Sequence, residues 1–343
     1  MKGMLEWRLV VAIPELCIVG GSNCLLSQGW VRQLKAVNQE AFEIRNLSIG
    51  AATSLIGIYR ILNGEIPNGS IVIWEYAINE ANHHKSGQSA ETLFYYLDWF
   101  LELCALRDIS VLPLLFWNLD EQLSNKPSQY RREINRRFAS RGLEPIDFGP
   151  KLKEFAGEKK QDVKALYRDR AHYKLGTGFP RRIALQVFGN LRAARIPQRL
   201  TSFAGRELRL LRPEVLETGR FKNSILDAGI YDFSAPIRIR AKGKLLAGFV
   251  IAAKTGGAVD VFVDEHNIGA FSVQSPPSVQ QPDRLLKHLV FWSNGVAPIE
   301  VEREIDISRS RSEEKPIVQN LFSWHAAEGS GEQDALVAIL IES

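Results

Sequence analysis

Apolar positions in the first half of the chain gather into short strand-like runs at 16–19, 42–49, 71–77 and 109–116. Between them, residues 30–38, 51–63 and 90–107 carry apolar side chains at helical spacing, most clearly in Glu91-Thr92-Leu93-Phe94-Tyr95-Tyr96-Leu97-Asp98-Trp99-Phe100-Leu101. Near-continuous apolar strands alternating with helices of that length predict βαβ units and a mostly parallel sheet covered on both faces. Residues 120–165 are polar and charged with a helical period, and a last helix is expected over 179–191. The predicted class is therefore α/β, a three-layer α/β/α domain.

From about residue 230 the pattern changes. Pro236-Ile237-Arg238-Ile239-Arg240-Ala241 and Ala258-Val259-Asp260-Val261-Phe262-Val263-Asp264 alternate, and Gly243, Gly248, Gly256-Gly257, Gly269 and Gly295 punctuate short runs. Short alternating strands with glycine punctuation predict an antiparallel β-sandwich. The boundary is expected near 200–225, giving a domain over 1–210 and a sandwich over 225–343. Residues 308–316 and 327–333 read as polar loops.

At 343 residues, 45% hydrophobic and 24% charged, the chain has a globular composition with room for a substantial core. No apolar run approaches the roughly 18–20 residues of a membrane span. Glu6 and Arg8 interrupt the start as a secretory signal would not allow. Cys17, Cys24 and Cys104 lack metal-ligand spacing and read as free thiols, and a cytoplasmic location is expected. The net charge of +4 is uneven: −3 over 1–119, +11 over 120–220 and −4 over 221–343. The densest part, Arg131-Arg132…Arg136-Arg137…Arg141, has helical spacing and reads as a solvated helix face. With no aromatic platform interleaving the arginines, nucleic acid is not the expected partner.

The chemistry-bearing candidates sit where predicted strands stop. Leu16-Cys17-Ile18-Val19 ends at Gly20-Gly21-Ser22-Asn23, and a helix beginning near Gly29 follows. The glycines are expected to allow a sharp turn. Ser22 then lies at the carboxyl rim of the sheet, where ligands bind in open α/β folds. An activated serine needs a base, a group to orient the base, and donors for an oxyanion. His172 has Asp169 three residues ahead, within reach of its far ring nitrogen. Gly50 lies where the second strand turns, and could offer a backbone N–H. Asn79 lies past the third strand, and could offer its amide.

This ordered set resembles the SGNH (GDSL-like) hydrolase superfamily over roughly residues 14–190. The resemblance implies a flavodoxin-like α/β/α domain with Ser22 as nucleophile, His172 as base and Asp169 orienting it. The N–H groups of Ser22 and Gly50 and the Asn79 amide would form the oxyanion hole. It further implies an esterase or acyltransferase forming an acyl-Ser22 intermediate on O-acyl groups, O-acetyl foremost, of a carbohydrate or small molecule, with no cofactor and no metal. The chain departs from the family where Gly-Asp-Ser becomes Gly20-Gly21-Ser22 and Gly-x-Asn-Asp becomes Ala77-Ile78-Asn79-Glu80. The first removes the aspartate that braces the nucleophile turn. A non-catalytic protein binding a glycan or protein through its sandwich is the alternative, and the sandwich is also the candidate contact with a second copy.

Other residues admit two readings. His83 and His84 are either an exposed loop or substrate contacts. Trp117 and Asn118, ending the fourth strand, either pack or touch substrate. Glu75 within an apolar strand needs a partner such as an arginine, since an unpaired buried carboxylate is costly. Cys24 reads as a packing thiol. His266, His288 and His325 have no visible partner.

Overall fold

The computed structural model describes residues 14–275, 282–292, 297–312, 314–319 and 333–343. Strands β1 (Glu15–Gly20), β2 (Glu43–Asn46), β3 (Ile71–Glu75), β4 (Ser110–Leu115) and β5 (Ile146–Asp147) form one parallel sheet in the order β2-β1-β3-β4-β5. This is the flavodoxin-like order, whose direction switches between β1 and β3, opening a crevice at their carboxyl ends.

The helices are α1 (Trp30–Val37), α2 (Ser54–Leu62), α3 (Ala77–Lys85), α4 (Ala90–Leu106), α5 (Leu119–Ser124), α6 (Gln129–Ser140), α7 (Phe148–Glu158) and α8 (Phe179–Asn190). Successive strand residues face opposite sides. Leu16 and Ile18 thus join the core with Trp30, Leu34, Ile183 and Val187 of α1 and α8. Cys17 and Val19 join the other core with Leu55, Ile58, Leu97 and Phe100 of α2 and α4. Both faces of the central strands β1, β3 and β4 are covered, which is why those runs are largely apolar, whereas the edge strand β2 carries Glu43, Arg45 and Asn46. No helix among the described residues is long and apolar enough to cross a membrane.

The charged segment after β4 differs from the expected solvated face. Arg131 and Arg141 are buried. Arg131 meets the Glu121 carboxylate at 2.8–3.1 Å, and Arg141 meets Glu102 at 3.0 Å. A guanidinium can be desolvated when a carboxylate neutralises it. Arg132 and Arg136 stay at the surface.

The second half is antiparallel. Its strands are β6 (Leu208–Leu211), β7 (Gly219–Lys222), β8 (Asp227–Asp232), β9 (Ile237–Arg240), β10 (Gly243–Ala253), β11 (Ala258–Val263), β12 (His266–Ser272), β13 (Arg284–Val290), β14 (Ile299–Val301), β15 (Glu304–Arg309) and β16 (Ala335–Glu342). One sheet runs β13-β10-β16-β8-β7, with β6 beside β16 and β14 beside β10; the other runs β12-β11-β15-β9. Ile239, Val261 and Ile305 of the smaller sheet share a core with Leu245, Val250 and Ile339 of the larger one.

The larger sheet turns its other face to the α/β layers. Leu246, Phe249, Ile251 and Leu340 belong to the same core as α2 and α4. The Tyr59 and Phe249 ring centroids are 4.8 Å apart. The Tyr96 hydroxyl donates to the Leu246 carbonyl at 2.9 Å and accepts from the Trp292 indole at 3.0 Å. Within the polar loop expected over 308–316, Ser308 and Arg309 instead close β15, and Arg309 pairs with Asp334. The expected loop at 327–332, together with Gly295, His325 and the first thirteen residues, lies outside the described residues.

Candidate active site

At the end of β1 the chain makes one 3-10 turn over Ser22–Cys24. The two glycines before it serve space rather than backbone freedom: Gly21 has φ −91° and ψ −160°, angles open to any residue. A Cβ on Gly20 would lie 2.6 Å from the Cys24 sulfur, and one on Gly21 would lie 2.5 Å from the Asn79 amide nitrogen.

Glu75, at the end of β3, braces this turn. Its Oε2 accepts from the Gly21 N–H at 3.2 Å and from the Cys24 thiol at 3.2 Å, and its carbonyl also accepts from Gly21 at 3.1 Å. Burial raises its carboxyl to about 7, against the pull of those two donors. The partner expected of Glu75 is an arginine; its direct partners are instead Gly21 and Cys24 of the turn that holds Ser22, with Arg131 acting only through its charge. Cys24 is a packing thiol that also donates to this carboxylate. A carboxylate brace is thus present although the aspartate expected beside Ser22 is missing.

The candidate base, His172, rides on a tight loop, residues 167–173, closed by a bridge between Tyr167 and Tyr173. Asp169 accepts from the N–H groups of Ala171 and His172, both at 2.9 Å, and from His172 Nδ1 at 2.8 Å. A carboxylate can only accept, so Nδ1 carries the proton and Nε2 of the neutral ring is left as acceptor. His172 Nε2 lies 2.6 Å from Ser22 Oγ. Partial burial would raise the Asp169 carboxyl, but the donors around it outweigh that and hold it at about 2. The Asn23 amide donates to the Ala171 carbonyl at 3.0 Å, tying the serine turn to the histidine loop.

Gly50 lies beside Ser22: a Cβ built on it would be 3.9 Å from the Ser22 Cβ. The N–H groups of Ser22 and Gly50 donate to no acceptor among the described residues. Asn79 sits in the first turn of α3, not in a loop; one hydrogen of its amide goes to the Ala52 carbonyl at 2.9 Å, leaving the other available.

These residues line one cleft of about 530 Å³. Its walls include Leu25, Leu26 and Ile49 from the α/β half and Asn223, Leu226 and Leu285 from the sandwich half. The sandwich contribution had no signal in the sequence.

The four secondary candidates lie elsewhere. His83 is buried and its Nε2 hydrogen-bonds the Ala51 carbonyl at 2.8 Å, steadying a residue held at φ +55° beside Gly50. Burial lowers its imidazole to about 4, so it is neutral there. His84 stacks on Tyr130 at 5.3 Å around a different hollow. Trp117 packs its ring over Gly149, where a Cβ would come within 2.1 Å, and its carbonyl accepts from the Tyr167 hydroxyl at 2.7 Å. Asn118 caps α5 in a reciprocal box with Glu121. Of the sandwich histidines, His288 is buried, 5.9 Å from the His83 ring. No group of three or more His, Cys, Asp or Glu among the described residues is arranged to hold a metal.

A flavodoxin-ordered sheet, Ser22, His172 and Asp169 in hydrogen-bond succession at its carboxyl rim, and an antiparallel β-rich second half packed against it give an SGNH-like α/β fold. Among the solved structures it resembles is a two-domain esterase active on acetylated mannans. Crystallised with mannopentaose, that esterase is 11% identical, with a TM-score of 0.61 over 96% of this chain and 90% of the other. A second crystal structure under that description gives 10% identity and a TM-score of 0.59 over 96% and 91%. At that identity the likeness speaks for the fold. No family model and no curated protein matches the sequence.

Proposed function

We propose that the chain is a serine esterase that removes O-acyl groups from a carbohydrate. The observation that carries this is the 2.6 Å contact of Ser22 Oγ with a histidine whose other nitrogen is held by Asp169, inside an open cleft. Ser22 Oγ attacks the ester carbonyl carbon while His172 Nε2 takes its proton. The carbonyl oxygen becomes an oxyanion among the N–H groups of Ser22 and Gly50 and the Asn79 amide. The C–O bond to the alcohol breaks, the leaving oxygen takes the proton from His172, and acyl-Ser22 remains. Water, deprotonated by His172, then releases the carboxylic acid and restores Ser22. A sugar hydroxyl entering in place of water would turn the same steps into acyl transfer.

The carbohydrate part of the reading is supported by the likeness in fold, over 96% of this chain, to a two-domain esterase active on acetylated mannans. The brace from Glu75 answers the observation that favoured a non-catalytic protein, the missing aspartate beside Ser22. A fluorophosphonate probe is expected to label the wild type and spare Ser22→Ala, with turnover in Ser22→Ala or His172→Ala down by roughly 10⁴–10⁶-fold. Equal labelling of both proteins defeats the assignment.

A further inference from the structure

The cleft walls say more about the acyl group than the catalytic residues do. Leu25 and Leu26 follow the nucleophile turn, Ile49 precedes Gly50, and Ile225, Leu226 and Leu285 come from the opposite half of the molecule. Four separate segments therefore present branched aliphatic side chains to one space beside Ser22. Much of that surface is still wet: Leu25 is 42% exposed, and Ile225 and Leu285 are only partly buried. The polar members Asn82, Arg168 and Asn223 share the same lining and suit the hydroxyls of a sugar alcohol. An acetyl group offers a single methyl, too little to cover walls contributed from both halves.

We infer that this site, granted the esterase reading above, takes an aliphatic acyl chain longer than acetyl, of about four to eight carbons. The chain would lie against these leucines and isoleucines while its carbonyl carbon faces Ser22. Each methylene moved out of water against such a wall is worth up to about fourfold in binding, and in kcat/KM where the contact persists in the transition state.

The test is kcat/KM for p-nitrophenyl esters from acetate to dodecanoate, all with one leaving group, beside a series of alkyl acetates. Expected is a rise of several-fold per methylene pair up to hexanoate or octanoate, then a plateau or fall. Leu25→Asn, a change at an exposed position, and Leu285→Asn should each cut the hexanoate-to-acetate ratio by about four- to tenfold. A wild-type profile highest at acetate overturns the inference, as does a rise along the alkyl acetates instead of the acyl series. In either case Ser22-dependent turnover would leave the esterase reading standing. No Ser22-dependent turnover of any ester would remove that reading and this inference with it.

Discussion

Replacing Gly21 with alanine tests the proposed oxyanion site, because the backbone at Gly21 tolerates a side chain and only its neighbour does not. The new Cβ would lie 2.5 Å from the Asn79 amide nitrogen and 2.8 Å from its carbon and oxygen. Ordinary carbon contacts begin near about 3.5 Å, so the amide must retreat by roughly 1 Å. Misplacement on that scale costs about 10²-fold, and losing one oxyanion donor costs about 10²–10³-fold in kcat, or about 3–4 kcal/mol. Gly21→Ala should therefore lose about 10²–10³-fold in kcat, with KM changed little. Asn79→Ala should show a similar loss, and the double variant should be no worse than either, since both remove the same donor. Initial rates on an activated ester with the four proteins decide it. Activity of Gly21→Ala within about threefold of wild type, or losses that multiply in the double variant, would refute the placement of Asn79 over Gly21 as the reason for that glycine.

Three further outcomes follow from buried ionisable groups. Glu75, raised by burial to about 7 in the folded chain, favours folding most below its unfolded value near 4.5, and that contribution fades as pH rises through 7. Glu75→Gln keeps an acceptor for Gly21 and cannot ionise, so in urea unfolding it should gain on wild type by up to about 3 kcal/mol between pH 5 and pH 8; a difference independent of pH contradicts this. His83, lowered to about 4, has the opposite sign: its contribution is complete above pH 6.5 and is lost as pH falls through 4. His83→Gln should flatten that acid limb by up to about 3 kcal/mol, checked by denaturant midpoints at pH 7 and pH 4.5. Glu102, fully buried between Arg141 and Arg199, should cost about 3–5 kcal/mol when changed to Ala, because Arg141 is left desolvated and unpaired. Denaturant titration of that variant, with Arg141→Met/Glu102→Leu expected to recover most of the loss, is the measurement.

The parallel sheet was legible because its central strands β1, β3 and β4 are buried on both sides, so their apolar runs stand out from any register. Ser22, Asp169 and His172 were legible because each sits in a short local pattern at a strand end or before a helix. What escaped depends on contacts distant in sequence. Glu75 meets Gly21 across 54 positions, and nothing near Glu75 announces the partner. Helix α3 was hidden because most of Ala77–His83 is buried, which erases a polar face, and its Asn and His residues suggest a loop. The arginines at 131 and 141 keep a helical period whether they face water or a carboxylate, so spacing alone could not separate the two. The cleft residues of the sandwich, Leu226 and Leu285, are ordinary strand-end aliphatics whose position only the assembled fold reveals. One available signal went unread: Leu245 to Ala253 and Ala335 to Ile341 are apolar without alternation, which marks strands covered on both faces.

That double covering of β10 and β16 bears on how such a molecule could arise or be trimmed. A cut between the halves would strip α2 and α4 of Phe249, Leu246 and Leu340 and turn an interior into a sticky exterior. Neither half can therefore be shuffled into another protein as an interchangeable module, and changes on one side of the seam must be matched by changes on the other.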